Sequence, residues 1–169
     1  PNSKKDITIS PSRPEYKLSV YSKTNGQNIK IDELTYTVNK PPKPRLVITS
    51  GGRELDGRNP IKKKGSITVK LLPDPEFRRD LPRDARYKVT KVKILYGGGL
   101  LTPTTAITAT GDIMQGITIN LNQNAIKNAV DGDRIFVELE DVYRINFEGQ
   151  SYQEPMLPTE RIQQFNLKN

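Results

Sequence analysis

Apolar and polar residues alternate with a period of two along most of this chain, which is the pattern of half-buried β-strands. The longest such run spans residues 132–149. Its apolar side consists of Ile135, Val137, Leu139, Tyr143, Ile145 and Phe147. Asp141 is the one polar residue on that side, and an unpaired charge in an apolar layer is costly. We therefore expect a bulge or corner near Glu140 and Asp141.

Shorter alternating runs predict further strands in the rest of the C-terminal part. They cover residues 46–48, 66–72, 87–96, 117–121 and 161–167. The run at 87–96 changes phase near Thr90 and Lys91, which a bulge there would reconcile. Residues 122–130 have apolar positions at helical spacing and end just before Gly132, so they predict the single helix of the chain.

The N-terminal part has its own pattern and a clear end. Residues 4–40 predict three or four short strands, with Asn25-Gly26 as the hairpin signal. Prolines at positions 41, 42 and 44 cannot sit inside a sheet and favour a stiff, extended connector. We therefore interpret residues 1–40 as the C-terminal part of an immunoglobulin-like domain, 41–44 as a Pro-rich linker and 45–169 as a second β-rich domain.

The predicted fold class is all-β, with immunoglobulin-like β-sandwich strands followed by a second β-sandwich domain that contains one short helix. No apolar run approaches the ~18 residues that a membrane-spanning helix needs, and no signal peptide is present. The chain begins with Pro1 rather than Met, so we expect it to be a piece of a longer protein whose targeting segment lies upstream.

The composition argues against most catalytic chemistry. The 169 residues include no histidine and no cysteine, which excludes a Ser-His-Asp triad, a cysteine nucleophile and every disulfide. The glycines at 51–52 and 97–99 lack the Gly-Lys-Ser/Thr ending of a phosphate-binding loop, so we interpret them as turns. Asp131 and Asp133 lack the spacing of a calcium loop and fit a turn after a helix. We expect no enzyme activity, no catalytic or cofactor-binding residue and no metal.

Charge is unevenly distributed, and it suggests a surface for a protein partner. The net charge is +5 over residues 1–52, +7 over 53–93 and −4 over 94–169. Residues 73–86 have no strand or helix pattern, and loops of that length in compact domains are usually functional or disordered. Arginine is favoured at protein interfaces because its planar fork pairs with carboxylates. The predicted partner-binding residues are Lys62, Lys63, Lys64, Arg78, Arg79, Arg83 and Arg86.

Two other interpretations of these basic residues are possible. In one, residues 73–86 form a solvated loop whose arginines pair with Asp74, Asp80 and Asp84 nearby. In the other, the basic residues bind nucleic acid, but single-strand binders interleave such charge with stacking aromatics and no reading motif is present. We therefore expect no nucleic-acid partner.

Four segments share the order and pattern of one known family. They are residues 38–44 (VNKPPKP) followed by Gly51-Gly52-Arg53, residues 87–94 with alternating Lys, Val and Thr, residues 132–142 (GDRIFVELEDV), and residues 154–158 followed by 165–167. Together they resemble the third and fourth periplasmic domains of the PorM/GldM family, closer to the PorM branch. The resemblance spans roughly residues 33–167.

This resemblance implies a non-enzymatic structural component of the type IX secretion system of Bacteroidetes, involved in protein transport and gliding motility. Such proteins are anchored in the inner membrane and extend a dimeric shaft through the periplasm. The chain would be the outer end of that shaft, coupling the inner-membrane motor to a ring formed by an outer-membrane lipoprotein and its partner. The resemblance further implies a homodimer, a motor partner bound through a segment absent here, and no cofactor.

Two further classes of function compete with this expectation. A bacterial surface adhesin or carbohydrate-binding β-sandwich would also be Thr-rich and free of cysteine, and exposed aromatic side chains in a groove would favour it. The chain has seven tyrosines, four phenylalanines and no tryptophan. A glycosidase with two catalytic carboxylates would need that pair within about 5–10 Å.

Overall fold

The computed structural model describes residues 15–99 and 101–168, with Asn124 and Ala125 described by their backbone. The strands in these residues are β1 (Glu15–Thr24), β2 (Gln27–Thr37), β3 (Arg45–Ser50), β4 (Arg53–Glu54), β5 (Ile61–Lys62), β6 (Ser66–Leu72), β7 (Arg86–Gly97), β8 (Thr104–Ala109), β9 (Ile117–Asn120), β10 (Arg134–Ile145), β11 (Ser151–Gln153) and β12 (Ile162–Lys168). The helices are α1 (Pro75–Asp80), α2 (Asn124–Lys127) and α3 (Pro158–Arg161).

The predicted all-β fold class is confirmed. The chain forms two compact units, and the boundary between them along the sequence lies between Pro41 and Pro42.

In the first unit, the described residues contain one long antiparallel hairpin. β1 pairs with β2, and Leu18 faces Leu34 on its apolar side. Asn25 and Gly26 have φ angles of 50° and 80°, so the predicted two-residue turn is confirmed. Two long strands take the place of the several short ones that we expected within residues 15–40, and residues 4–14 lie outside the described part. The immunoglobulin-like assignment stays a prediction.

Much apolar surface of this hairpin is exposed. Leu34 is 46% and Tyr36 51% exposed, although both lie on the apolar side of β2. A two-stranded hairpin is marginally stable in water at best, because its single apolar face has nothing to pack against. The alternation of apolar and polar residues along the hairpin is therefore the pattern of one β-layer of a larger core.

The second unit is a β-sandwich of two sheets. One sheet has the strand order β5-β12-β10-β7-β8, with β11 also paired to β10, and the other has the order β4-β3-β6-β9. The inner faces of both sheets form one buried cluster, as the alternating pattern predicted. On β6, for example, Ile67, Val69 and Leu71 are completely buried, while Thr68 and Lys70 lie on the outer face.

The long strand β10 has the corner that its sequence predicted. Asp141 has a φ of 45°, a left-handed conformation that few residues other than glycine adopt readily. Leu139 and Val142 are both buried, although an unbroken strand would place them on opposite faces. The corner therefore reverses the faces beyond it, and the expectation that Tyr143 and Ile145 continue the core side was wrong: both are half-buried.

β7 changes face at the same level as β10. Tyr87 and Val92 are both buried, which confirms the phase change in its sequence. No register shift separates the pairs on either side of Thr90, however, so the expected bulge with an inserted residue is absent from this pairing. Thr90 lies opposite Asp141, and its hydroxyl donates to the Asp141 carboxylate over 3.4 Å. The two strands kink together and keep their register.

The helices differ from the prediction in number and length. The expected helix at 122–130 is the four-residue α2, and Val130 is 63% exposed rather than part of the core. It ends early because the Asp133 backbone N–H donates to the Val130 carbonyl, and the Val130 N–H donates to the Asp133 carboxylate, which together form a turn. α1 lies in the segment that we expected to be a loop, and α3 was not predicted. In the described residues, no helix has the length and apolar character required to cross a membrane.

The kink at Asp141 gives a prediction for stability. The Asp141→Val variant will lose about 1–2 kcal/mol of unfolding free energy, because a β-branched residue is strained in the left-handed conformation. The Asp141→Asn variant will stay within about 0.5 kcal/mol of the parent, since asparagine tolerates that conformation. Urea unfolding measures both, and equal stabilities of the two variants would contradict the backbone argument.

Candidate docking surface

The predicted partner-binding residues lie at opposite ends of the six-stranded sheet. Lys62 pairs with Lys168 at the edge of the sheet, near the start of β10. Arg86 pairs with Ile145 at the other end of β10. Twelve residues of strand separate these ends, which at a rise of ~3.3 Å per residue is on the order of 35 Å. The structure therefore does not bring the lysines and these arginines together on one patch.

At the lysine end, one of the three side chains is held by the fold. The Lys63 amine donates to the backbone carbonyl of Ala129 over 2.7 Å. Lys62 and Lys64 are exposed, and neither forms an ion pair within the part of the chain that the structure describes. Two lysines at this end thus present unpaired charge to solvent.

At the other end, the short helix α1 is closed at both of its termini. The Asp74 carboxylate accepts the backbone N–H groups of Glu76 and Phe77 at 3.0 and 2.9 Å. Pro75 occupies the first turn, where its missing N–H costs nothing. The Leu81 N–H donates to the Phe77 carbonyl and completes the C-terminal end. The sequence signal for this helix was therefore Asp74-Pro75, an N-cap followed by a first-turn proline.

α1 borders a shallow depression on the surface. The depression has a volume of about 480 Å³ and is lined by Leu72, Pro73, Pro75, Arg78 and Arg79. The three residues from α1 lie three and four positions apart, so they share one side of the helix. Glu76 and Asp80 are spaced by four and belong to the adjacent face of the helix. The two arginines thus line the depression, whereas the two acidic residues are not part of its lining.

The two arginines of α1 differ in what they bind. Arg79 donates two hydrogen bonds to the neighbouring Asp80 carboxylate, at 2.7 and 3.1 Å. Arg78 is exposed, and its guanidinium has no hydrogen bond or ion pair to any residue in 15–99 or 101–168. Arg78 therefore keeps a guanidinium group free beside the depression.

Arg83 and Arg86 are used by the fold. Arg83 donates to the carbonyl of Phe147 over 3.1 Å, and Arg86 donates to the carbonyl of Asn146 over 2.5 Å. The Asp84 carboxylate accepts the Phe147 N–H at 3.1 Å. Asn146 itself is only 8% exposed. These bonds attach the segment after α1 to the turn between β10 and β11.

The alternative in which the arginines pair with local aspartates holds for one pair in the described residues. Asp80 binds Arg79, whereas Asp74 caps α1 and Asp84 binds a backbone N–H. Asp84 also lies 3.8 Å from the guanidinium of Arg144 on β10. The aspartates of this segment therefore serve mainly to fix its backbone.

The Asp131-Gly132-Asp133 segment is a structural turn, as its sequence indicated. The Asp133 carboxylate accepts hydrogen bonds from the Tyr96 hydroxyl at 2.6 Å, the Val130 N–H at 2.9 Å and the Gly99 N–H at 3.3 Å. The Tyr96 hydroxyl is the main cause that lowers the pKa of Asp133. Within the described residues, no three His, Cys, Asp or Glu side chains are grouped to hold a metal ion.

Acidic side chains on the outer face of the six-stranded sheet are paired with cations. Glu140 on β10 lies 3.2 Å from each of the amines of Lys91 and Lys93 on β7. Burial raises the pKa of Glu140, but the two lysines outweigh it and the pKa is lowered overall. Arg161 binds Glu138 at 2.9 Å. The charges of Glu138 and Glu140 are thus largely neutralised by cations on α3 and β7.

The second unit begins in a fixed position. The Tyr87 hydroxyl donates to the Pro42 carbonyl over 3.1 Å, and Lys43 pairs with Glu160 at 2.9 Å. Burial, the largest cause, raises the pKa of Tyr87 to about 12. Pro44 is buried. Most of the predicted Pro-rich linker is therefore packed on the second sandwich.

The fold and the candidate site define an all-β sandwich protein in which a short helix presents a free arginine beside an apolar depression. The family model described as the GldM C-terminal domain matches residues 42–168, which is the whole of the described second unit, and the chain belongs to this family. The family is a structural component of the type IX secretion and gliding machinery, and this domain is a periplasmic part of an inner-membrane-anchored protein. Comparison with the curated proteins gave no match.

The different uses of the arginines give a prediction for stability. The Arg86→Ser variant will lose about 1 kcal/mol of unfolding free energy, because the hydrogen bond from the guanidinium to the Asn146 carbonyl is lost while the Gly149 N–H still donates to that carbonyl. The Arg78→Ser variant will change it by less than about 0.5 kcal/mol, as is usual for a free surface residue. Chemical denaturation measures both values, and an unchanged Arg86→Ser variant would refute the anchoring role.

A second prediction concerns acid stability. Because the folded pKa of Asp133 is lowered, its contribution to stability is present above the unfolded pKa of ~3.9 and is lost as the pH falls through the folded value. The Tyr96→Phe variant removes the main cause, so its unfolding free energy will depend less on pH below about 4. The control is Tyr152→Phe, whose hydroxyl bonds the Gln150 amide instead of a carboxylate. Equal pH dependence of the two variants would contradict this.

Proposed function

We propose that this chain is the outer end of a periplasmic shaft that couples an inner-membrane motor to an outer-membrane ring through protein–protein contacts. The family match over the second unit carries the proposal, because it covers the sandwich from its first to its last strand. The charged side chains support it, since in the described residues they mostly bind one another or the backbone. That use is typical of a structural module.

We also propose that the protein acts as a homodimer. The apolar side of the first unit supports this, because Leu34 and Tyr36 are half exposed on a hairpin too small to be stable alone. A second copy would cover that side. Each Å² of apolar surface that it removed from water would stabilise the dimer by about 25 cal/mol. The motor partner would bind the membrane-anchored part of the protein, and the assignment to the PorM branch stays a prediction.

The ring partners are proposed to be an outer-membrane lipoprotein and its associated protein. The basic segment 53–93, which has a net charge of +7, supports contact with an acidic face on that ring. Charge complementarity of this kind raises the association rate and falls with salt. The end of the sandwich that carries α1 is the part where a free arginine and an apolar depression coincide.

The decisive experiment is capture of the purified ring proteins by the tagged chain at low and at physiological salt. We expect the ring to be retained in both, more strongly at low salt. Sedimentation of the same preparation reports whether the chain is a dimer. An unrelated basic β-sandwich of similar charge is the control for non-specific retention. Loss of the ring at both salt concentrations, with the chain folded, would overturn the proposed function.

A further inference from the structure

The depression beside α1 has an apolar floor on the outer face of the four-stranded sheet. Leu72 ends β6 and pairs with Arg45 of β3, whereas its neighbour Leu71 points into the core. Pro73 follows and is buried, so the floor is made by residues fixed in the sandwich. Pro75 and Arg78 form the wall on the helix side. We call this depression the α1 groove.

The unpaired charge among the residues that line the groove is positive. Helical spacing places Arg78 and Arg79 on the groove side of α1, and Glu76 and Asp80 on the adjacent face. Arg79 already donates two hydrogen bonds to Asp80, while the guanidinium of Arg78 has no partner within residues 15–99 and 101–168. A guanidinium offers parallel donors that match a carboxylate, and exposed pairs of this type contribute modestly to affinity but fix orientation.

The groove is formed before any partner arrives. Asp74 caps the start of α1, and the segment after the helix is attached through Asp84 and Arg83 to the turn at Phe147. Binding therefore needs no ordering of the helix, which removes one of the usual costs of association. A volume of about 480 Å³ that is open to solvent accommodates one large apolar side chain.

From these features we infer that the α1 groove binds an acidic segment of a partner protein, which inserts one apolar side chain over Leu72 and Pro73 and pairs an adjacent carboxylate with Arg78. This inference rests on the proposed function and specifies where the partner is held. An anionic membrane is a poorer fit, because such surfaces are bound by clusters of unpaired cations. Of the other six candidate cations, Lys62 and Lys64 are unpaired but lie at the opposite end of the sheet, and Lys63, Arg79, Arg83 and Arg86 are bound within the fold.

The test uses a capped peptide, acetyl-Gly-Leu-Glu-Glu-Gly-amide, titrated into the isotopically labelled chain and followed by NMR. We expect shifts confined to the groove residues. The Arg78→Ser variant will bind about fivefold more weakly, which is the effect of one exposed ion pair. The matched control is Lys64→Ser, which removes the same charge from the far end and will leave the affinity unchanged. A peptide with Gln in place of both Glu residues will lose a similar factor.

Three outcomes would overturn the inference. They are the absence of peptide binding to the parent chain, equal weakening by Arg78→Ser and Lys64→Ser, and binding of phosphatidylglycerol vesicles that Arg78→Ser abolishes while the peptide does not compete. Ring capture by the parent chain tests the proposed function separately, so its success together with failed peptide binding would reject the groove alone. Arg78→Ser keeps the fold's own contacts, so a loss of affinity reports the groove rather than unfolding.

Discussion

The pairing of β7 with β10 is the constraint on which the rest of the second unit depends. These two twelve-residue strands keep one register from end to end, and both change face where Thr90 lies opposite Asp141. Because both strands change face at the same pair of residues, the hydrogen bonds between their backbones continue and their apolar sides remain against the core. β8, β11 and β12 each pair with one of these two strands, and β5 is added through β12. Tyr87 and Arg86 belong to β7, and their hydrogen bonds fix the first residues of the unit and the turn at Asn146.

Most charges near this frame stabilise the structure rather than meet a partner. Buried or half-buried carbonyls and carboxylates require donors, since an unpaired polar group away from water is costly. Arg83 and Lys63 supply such donors to backbone carbonyls, and the Lys91 amine lies 3.2 Å from the Glu140 carboxylate as its counter-ion. A basic composition therefore overstates how much positive charge is available for binding. What remains available at the α1 end is Arg78, beside an apolar depression that the same bonds hold open.

Membership in the GldM C-terminal domain family agrees with this distribution. A sandwich with internally paired charges suits a structural component of a secretion and gliding machine. Tyr87 and Lys43 bond the first residues of the unit to β7 and α3, so these residues are fixed relative to the sheet. The proposed docking role then needs only a small part of the surface, on the same sandwich.

The sequence alone determined six strands of the second unit (β3, β6, β7, β9, β10 and β12), the hairpin turn at Asn25-Gly26 and the corner near Asp141, because each follows from short-range rules of alternation and left-handed φ. It also pointed to the correct family. Only the tertiary structure decided which side of β10 faces the core after the corner. One left-handed residue reverses the side of the strand that is buried, and the alternation of apolar and polar residues does not show this reversal. The same holds for the seven candidate cations: whether Arg86 or Arg78 is free depends on which backbone carbonyls from distant turns come within reach, and no local pattern records that.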